Sequence, residues 1–329
     1  MPNPAYSLES FLIQRRANPT NHFVLGNDAG DADSIISAIS LAYVESVYFG
    51  GQLTPIVSIP QEVFRYERPD ANVILELAGI DNPSDKLLFI DDLNEMLLSD
   101  TEKGLASRSL TLVDHNTINK SFRHFQKNFI VTQIVDHHKD EKQYKETCIG
   151  KDRNIAFDHG HALVASTTTL VAERLLENSP PYPPSIGIVL LGTILLDSVN
   201  LDESVGKVTE RDRDVVNALL LYTDWNKAVP SSYLKKEEDG NITVDTNELF
   251  WKIQHSKYDP VFWTSLSAKR ALQYDYKDFH HHHGFDTAHL WKNQGEHFGI
   301  STILMSGIDF MNKEGFYAST LAFMKQKQI

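Results

Sequence analysis

The segment Phe129-Ile130-Val131-Thr132-Gln133-Ile134-Val135-Asp136-His137-His138 decides how this chain is read. Its β-branched, mostly apolar run predicts a buried strand, and the strand ends in an acid and two imidazoles. Core packing has no use for three such groups in a row. Three further segments have the same form. Phe23-Val24-Leu25-Gly26 leads into Asn27-Asp28-Ala29-Gly30-Asp31-Ala32-Asp33-Ser34, Leu110-Thr111-Leu112-Val113 into Asp114-His115-Asn116, and Ile194-Leu195-Leu196 into Asp197-Ser198. In open α/β sheets the ligand crevice lies outside the carboxyl ends of the strands, so four clusters placed this way are expected to converge on one site.

Short apolar runs at residues 22–26, 53–59, 86–90, 110–114 and 129–135 alternate with helical or loop-like stretches, which predicts βαβ units and a mainly parallel sheet. Asp33-Ser34 before residues 35–42 reads as a helix start, so the acidic loop sits between a strand and a helix. Residues 162–178 read as a helix stopped by the prolines of Ser179-Pro180-Pro181-Tyr182-Pro183-Pro184. Residues 185–196 read as a buried helix, although Asp197 after them is also read as a strand-end carboxylate.

At 329 residues two domains are expected. The texture changes after Asp197: residues 205–225 are charged with a helical period, and residues 235–247 are polar around a Gly240-Asn241 turn. The boundary is placed at 208/209. Residues 245–329 are helix-rich, and the His280-His281-His282-His283 tract is read as an exposed loop outside the site.

Composition narrows the function. A hydrophobic content of 41% and a charged content of 23% describe a soluble globular chain. No segment has the apolar length of a membrane span or a signal peptide, so a cytoplasmic protein is expected. A net charge of -13 excludes a general nucleic-acid surface, and the single cysteine, Cys148, excludes a thiolate metal cluster. A metal site here must use oxygen and imidazole ligands, a set that suits Mg²⁺, Mn²⁺ or Co²⁺. An anionic substrate would need the local reversal of sign that bound cations supply. Asp31 and Asp33 can hold one hard cation or reach two, with helix capping as the competing reading. Asp31, Asp33, Asp114, Asp136, His137 and Asp197 together make a dinuclear constellation suited to phosphoester or phosphoanhydride hydrolysis.

In this order the motifs resemble those of the DHH phosphoesterase superfamily, in its eukaryotic branch of exopolyphosphatases and prune-type proteins. Asn27-x-x-x-Asp31-x-Asp33-Ser34 resembles the first motif, Leu112-Val113-Asp114-His115-Asn116 the second, Asp136-His137-His138 the third and Gly192-Thr193-Ile194-Leu195-Leu196-Asp197 the fourth. Residues 164–169, Asn200 and Lys207-Val208 extend the similarity across residues 22–210.

The resemblance implies a Rossmann-like catalytic domain over residues 1–208. It would hold two divalent cations, Mn²⁺ or Mg²⁺ with Co²⁺ as a further option. The implied ligands are Asp31, Asp33, Asp114, His137 and Asp197, with Asp136 and His138 in catalytic roles: Asp136 supports the centre and His138 contacts substrate phosphate. Asn27 and Ser34 support the ligands from behind, and Asn27 stands where family II pyrophosphatases carry a metal-binding His, which favours the exopolyphosphatase branch.

Residues 209–329 are expected to form a linker helix and a smaller α+β substrate-binding domain, with family-like segments at residues 272–279 and 298–303. Gln273-Tyr274 replaces a basic pair, and relatives continue into further strands with phosphate-binding basic residues, so this domain is expected to be incomplete. Candidate phosphate contacts are His115, His138, Lys277, Lys292 and His297. The implied reaction releases terminal phosphate from inorganic polyphosphate through a hydroxide held by two metals. The alternatives are a pyrophosphatase or cyclic-nucleotide phosphodiesterase of the same superfamily, or a prune-like regulatory or interaction protein with weak catalysis.

Overall fold

The computed structural model describes residues 7–101, 108–118, 120–225, 231–237, 240, 242–274, 276–279 and 298–327. The chain divides into two compact units, Met1–Gln254 and His255–Ile329. That division falls C-terminal to the functional boundary expected at 208/209.

The first unit is built on a five-stranded sheet: β1 (His22–Leu25), β2 (Thr54–Ile56), β3 (Arg108–Val113), β4 (Phe129–Asp136) and β5 (Arg153–Ile155). The order is β2-β1-β3-β4-β5, and every pairing is parallel. Successive side chains of a strand point to opposite faces. Phe23, Leu25, Leu110, Leu112 and Ile134 accordingly enter one core with Leu93, Leu97 and Phe122, while Val24, Val113 and Val135 enter a second core with the packed helices. Both faces are covered, as a parallel sheet requires. This is the expected Rossmann-like α/β layout.

Four helices of this unit pack on one another: α1 (Ala32–Tyr48), α2 (Thr167–Leu176), α3 (Pro184–Asp197) and α4 (Glu210–Tyr222). Residues 32–44 of α1 are all buried. The small side chains of Ser34, Ser37, Ala38, Ser40 and Ala42 let it pack against α2 and α3. At the loop before α1, Gly30 has φ +55°, and a Cβ there would stand 2.5 Å from Ile59 Cγ2. Gly30→Ala combines left-handed strain with overpacking and is expected to cost about 2–3 kcal/mol, read as a lower urea midpoint with an unchanged slope. A midpoint equal to that of the unaltered protein would contradict this packing.

Two sequence expectations need correction. Residues 86–90 form no strand: only an isolated parallel bridge joins Val57 and Phe89, and the helix Ile90–Thr101 begins at once. The Asp92 carboxylate accepts from the Phe89 N–H at 2.9 Å, which starts the helix before a ladder can extend. The fifth strand is instead β5. Asp197 ends a helix, not a strand: Pro184 opens α3, and its unbroken apolar core, residues 186–196, is buried on all sides.

The second unit holds the helices Pro260–Ser265, Ala268–Gln273 and Phe316–Lys327 and an antiparallel pair, Tyr276–Phe279 with Phe298–Ser301. Trp263, Leu266, Ala271 and Tyr274 form its core, with the Trp263 and Tyr274 rings 4.7 Å apart. Lys277 lies on the first strand of that pair. Lys292, His297 and the tract at residues 280–283 are outside the described residues. Among the described residues no helix is long and apolar enough to cross a membrane.

Candidate metal centre

Asp136 is the last residue of β4 and is fully buried. Its Oδ1 accepts from the His137 N–H at 2.8 Å, the His138 N–H at 3.1 Å and His138 Nδ1 at 2.9 Å, while Oδ2 accepts from Asn116 Nδ2 at 2.6 Å. Burial disfavours its charge, yet the bonds from His138 and Asn116 hold its pKa below the usual carboxylate value. Asp136 therefore folds the loop back and aims the two imidazoles. Nδ1 of His137 donates to the Val164 carbonyl at 3.1 Å, which leaves its Nε2 facing Asp114 Oδ1 at 3.4 Å and Asp33 Oδ2 at 3.9 Å. The His138 side chain is 55% exposed, with Nδ1 turned inward to Asp136.

Asp114 follows β3 with φ +61°, a conformation Asp tolerates better than bulkier residues. Its Oδ2 accepts from Asn27 Nδ2 at 2.7 Å and Ser34 Oγ at 2.8 Å, and Thr167 Oγ1 approaches Oδ1 at 3.3 Å. Oδ1 is thus the oxygen turned toward the histidines. Asp33, in the first turn of α1, is held at the start of α2. Its Oδ1 accepts from Ser166 Oγ, Thr168 N, Thr168 Oγ1 and Ser37 Oγ, and its Oδ2 accepts from Thr167 N at 2.8 Å. With Oδ1 saturated, Asp33 can meet a cation only through Oδ2. Asp31 caps α1, accepting from the Ser34 N–H at 3.0 Å. Capping uses one oxygen, so the cap and ligand readings are compatible.

The structure brings Asp114, His137 and His138 together, with their ligand atoms all within 4.8 Å of one another. Asp33 borders that cluster through its approach to His137, and Asp31 acts on Asp114 through its charge. Asp197 is half-buried at the end of α3 and is not part of the cluster. His115 donates from Nδ1 to the Val113 carbonyl at 2.8 Å, and its Nε2 is buried with no hydrogen-bond partner among the described residues. Burial keeps that ring below its usual pKa, so it offers a lone pair; the phosphate contact expected of it would need a proton on Nε2.

These residues fit a divalent cation. Two ligand atoms on one Mg²⁺-sized ion lie at most about 4.2 Å apart, and His137 Nε2 stands 3.4 Å from Asp114 Oδ1, while His138 Nδ1, 3.6 Å from the same oxygen, is taken by its bond to Asp136. A His that donates its far nitrogen to a backbone carbonyl is in the orientation of a metal ligand. Without a cation, protons must do the same work. Burial and the charges of Asp33 and Asp31 push Asp114 up to about 7. Against its own burial, Asp114 and Asp33 push His137 up to about 10. A cation held by His137 Nε2 would displace its proton, so uptake near neutral pH should release protons, and binding should weaken as pH falls below about 10, more steeply below about 7 where Asp114 also takes up a proton. Calorimetry of Mn²⁺ binding in buffers of different ionisation enthalpy reads this; a heat independent of buffer would contradict it.

The sequence reading assigns no role to several contributing residues. Asn116, Ser166, Thr167 and Thr168 hold the carboxylates, and Asp212 holds the turn that carries three of them. The Ser-Thr-Thr-Thr run and the Thr209-x-x-Asp212 capping box were the available signals.

A parallel sheet whose carboxyl edge gathers an Asp-His-His run, a second strand-end Asp and an Asp-x-Asp helix start is the arrangement expected from the resemblance to the DHH phosphoesterase superfamily. The chain is 29% identical over 307 residues to the exopolyphosphatase PRUNE1 of Bos taurus, an alignment covering 92% of this chain and 56% of that protein. The proteins of that name from Rattus norvegicus and Homo sapiens are each 27% identical over 312 and 307 residues, with the same coverage. The chain spans about half the length of the curated relatives it matches. No family model matches it. In its motifs and its relatives the chain is similar to the eukaryotic exopolyphosphatase and prune-like branch of that superfamily.

Proposed function

We propose that this protein is a divalent-metal-dependent exopolyphosphatase that releases terminal phosphate from inorganic polyphosphate. The observation that carries the reading is the cluster of Asp114, His137 and His138 at the C-terminal edge of a parallel sheet. Asp114, His137, Asp31, Asp197 and the Oδ2 oxygen of Asp33 would hold two cations, Mn²⁺ or Mg²⁺ with Co²⁺ also suited to the donor set. When bound, such a pair acidifies a water to a nucleophile at neutral pH and neutralises phosphoryl charge.

The chain's own residues do the rest. Asp136 fixes the loop, and its bond to Nδ1 of His138 turns the opposite, solvent-facing edge of that ring toward an entering phosphate. The hydrogen bond and the neighbouring Asp114 charge raise the His138 pKa against its burial, which favours an imidazolium able to donate to a phosphoryl oxygen. Asn27, Ser34 and Thr167 hold Asp114 so that one oxygen serves the centre.

Phosphate release from polyphosphates of graded length, pyrophosphate and a cyclic dinucleotide, each with Mg²⁺, Mn²⁺ and Co²⁺, tests this reading. Release from polyphosphate is expected. Preference for pyrophosphate or the cyclic dinucleotide would move the assignment to a sister activity, and no release from any substrate would sink the enzyme reading.

One observation favours a second reading, a prune-like regulatory or interaction protein with weak catalysis. Tyr274, at the position where a basic pair was expected, is buried in the core of the second unit and offers phosphate no charge. Tight Mn²⁺ binding with negligible turnover would support that reading.

A further inference from the structure

Asp212 is separated from every candidate ligand in sequence and lies outside the metal-capable cluster, yet it is fully buried. Its Oδ2 accepts from the N–H and Oγ1 of Thr209, both at 2.8 Å, which completes the cap of α4. A cap needs no more than that. Asp212 also accepts from the Ala165 N–H through both oxygens at 3.0 Å, and from Thr169 Oγ1 at 2.7 Å. These bonds grip both ends of the turn at residues 165–169.

Everything between those ends faces the candidate centre. The Val164 carbonyl, one residue before the grip, accepts from His137 Nδ1 and so fixes which nitrogen of that ring is left for a cation. Ser166 Oγ, Thr167 N and Thr168 N hold Asp33, and Thr167 Oγ1 reaches Asp114. A buried carboxylate is costly unless its bonds are all used, and here two of its four donors come from this turn rather than from the helix it caps. We propose that Asp212 is a positioning residue of the metal centre: through the turn at 165–169 it sets the tautomer of His137 and the orientation of Asp33. The inference rests on the metal-dependent reading above.

Asp212→Asn places an amide N–H₂ against the Ala165 or Thr209 N–H and should displace the turn. Partners of metal ligands typically contribute about 10–100-fold to affinity, so Mn²⁺ affinity measured by calorimetry should fall by that factor, and the visible spectrum of bound Co²⁺ should change. Thr169→Val, which removes one bond of the grip, should give a several-fold loss and carries the test if Asp212→Asn does not fold. Val216→Ala, in the core side of the same helix, should lower Tm and leave Mn²⁺ affinity and the Co²⁺ spectrum as they are. Unchanged affinity and spectrum in both Asp212→Asn and Thr169→Val would overturn the proposal, as would an equal loss of affinity in Val216→Ala. Failure of the unaltered protein to bind Mn²⁺ would overturn the metal centre itself, and is told apart by that control alone.

Discussion

Asp114→Asn is expected to lower phosphate release by about three orders of magnitude while leaving the fold intact. Cation chemistry contributes several kcal/mol to phosphoryl transfer, and each 1.4 kcal/mol or so is tenfold in rate. The variant isolates that contribution because asparagine also tolerates the left-handed backbone at this position, where φ is +61°. Its amide oxygen can keep the donors from Asn27 Nδ2 and Ser34 Oγ. Its N–H₂ would then point at His137 Nε2, replacing a charged ligand with a neutral donor. A variant with near-normal turnover and an unchanged circular dichroism spectrum would remove Asp114 from the centre.

Asp136→Ala should fail differently, losing stability together with activity. Four donors converge on this carboxylate: the backbone N–H groups of His137 and His138, Nδ1 of His138 and Nδ2 of Asn116. Removing a buried acceptor leaves its donors unsatisfied at about 1–3 kcal/mol for a group, and a total near 3 kcal/mol shifts Tm by on the order of 10 °C in a domain of this size. The loop that aims both imidazoles would also lose its anchor, so turnover should disappear even where the protein remains folded. Thermal unfolding and phosphate release on the same samples separate the two losses. A Tm within a degree or two of the unaltered protein would mean that Asp136 does not carry the loop.

The parts of the fold legible in the sequence are those where local periodicity decides. β3 and β4 are apolar runs that run straight into an acid, so the strands and the polar edge could be read together at Asp114 and Asp136. The β5 strand could not be read that way, because Arg153-Asn154-Ile155 is half-buried at an edge and lacks an apolar run. Asp197 shows the limit of a continuous apolar stretch, which fits a buried strand and a buried helix equally until its length and the preceding prolines are weighed.

The hydrogen bonds that set the candidate site were illegible for a different reason. Asn27 and Asp114 are 87 residues apart, and Ser166 and Asp33 are 133 apart. Such pairings follow from how the sheet and helices are stacked, which no local pattern encodes. Residue types at strand ends point to a candidate centre. The tertiary contacts decide which oxygen of Asp33 or Asp114 is left to serve it.

The most direct test of the central claim is phosphate release from inorganic polyphosphate by the unaltered protein and Asp114→Asn, each with Mn²⁺ and again after chelation. The proposed centre predicts release by the unaltered protein with Mn²⁺ alone, lost on chelation, restored by added Mn²⁺ and absent from the variant. Release that persists through chelation, or that Asp114→Asn retains, would contradict it.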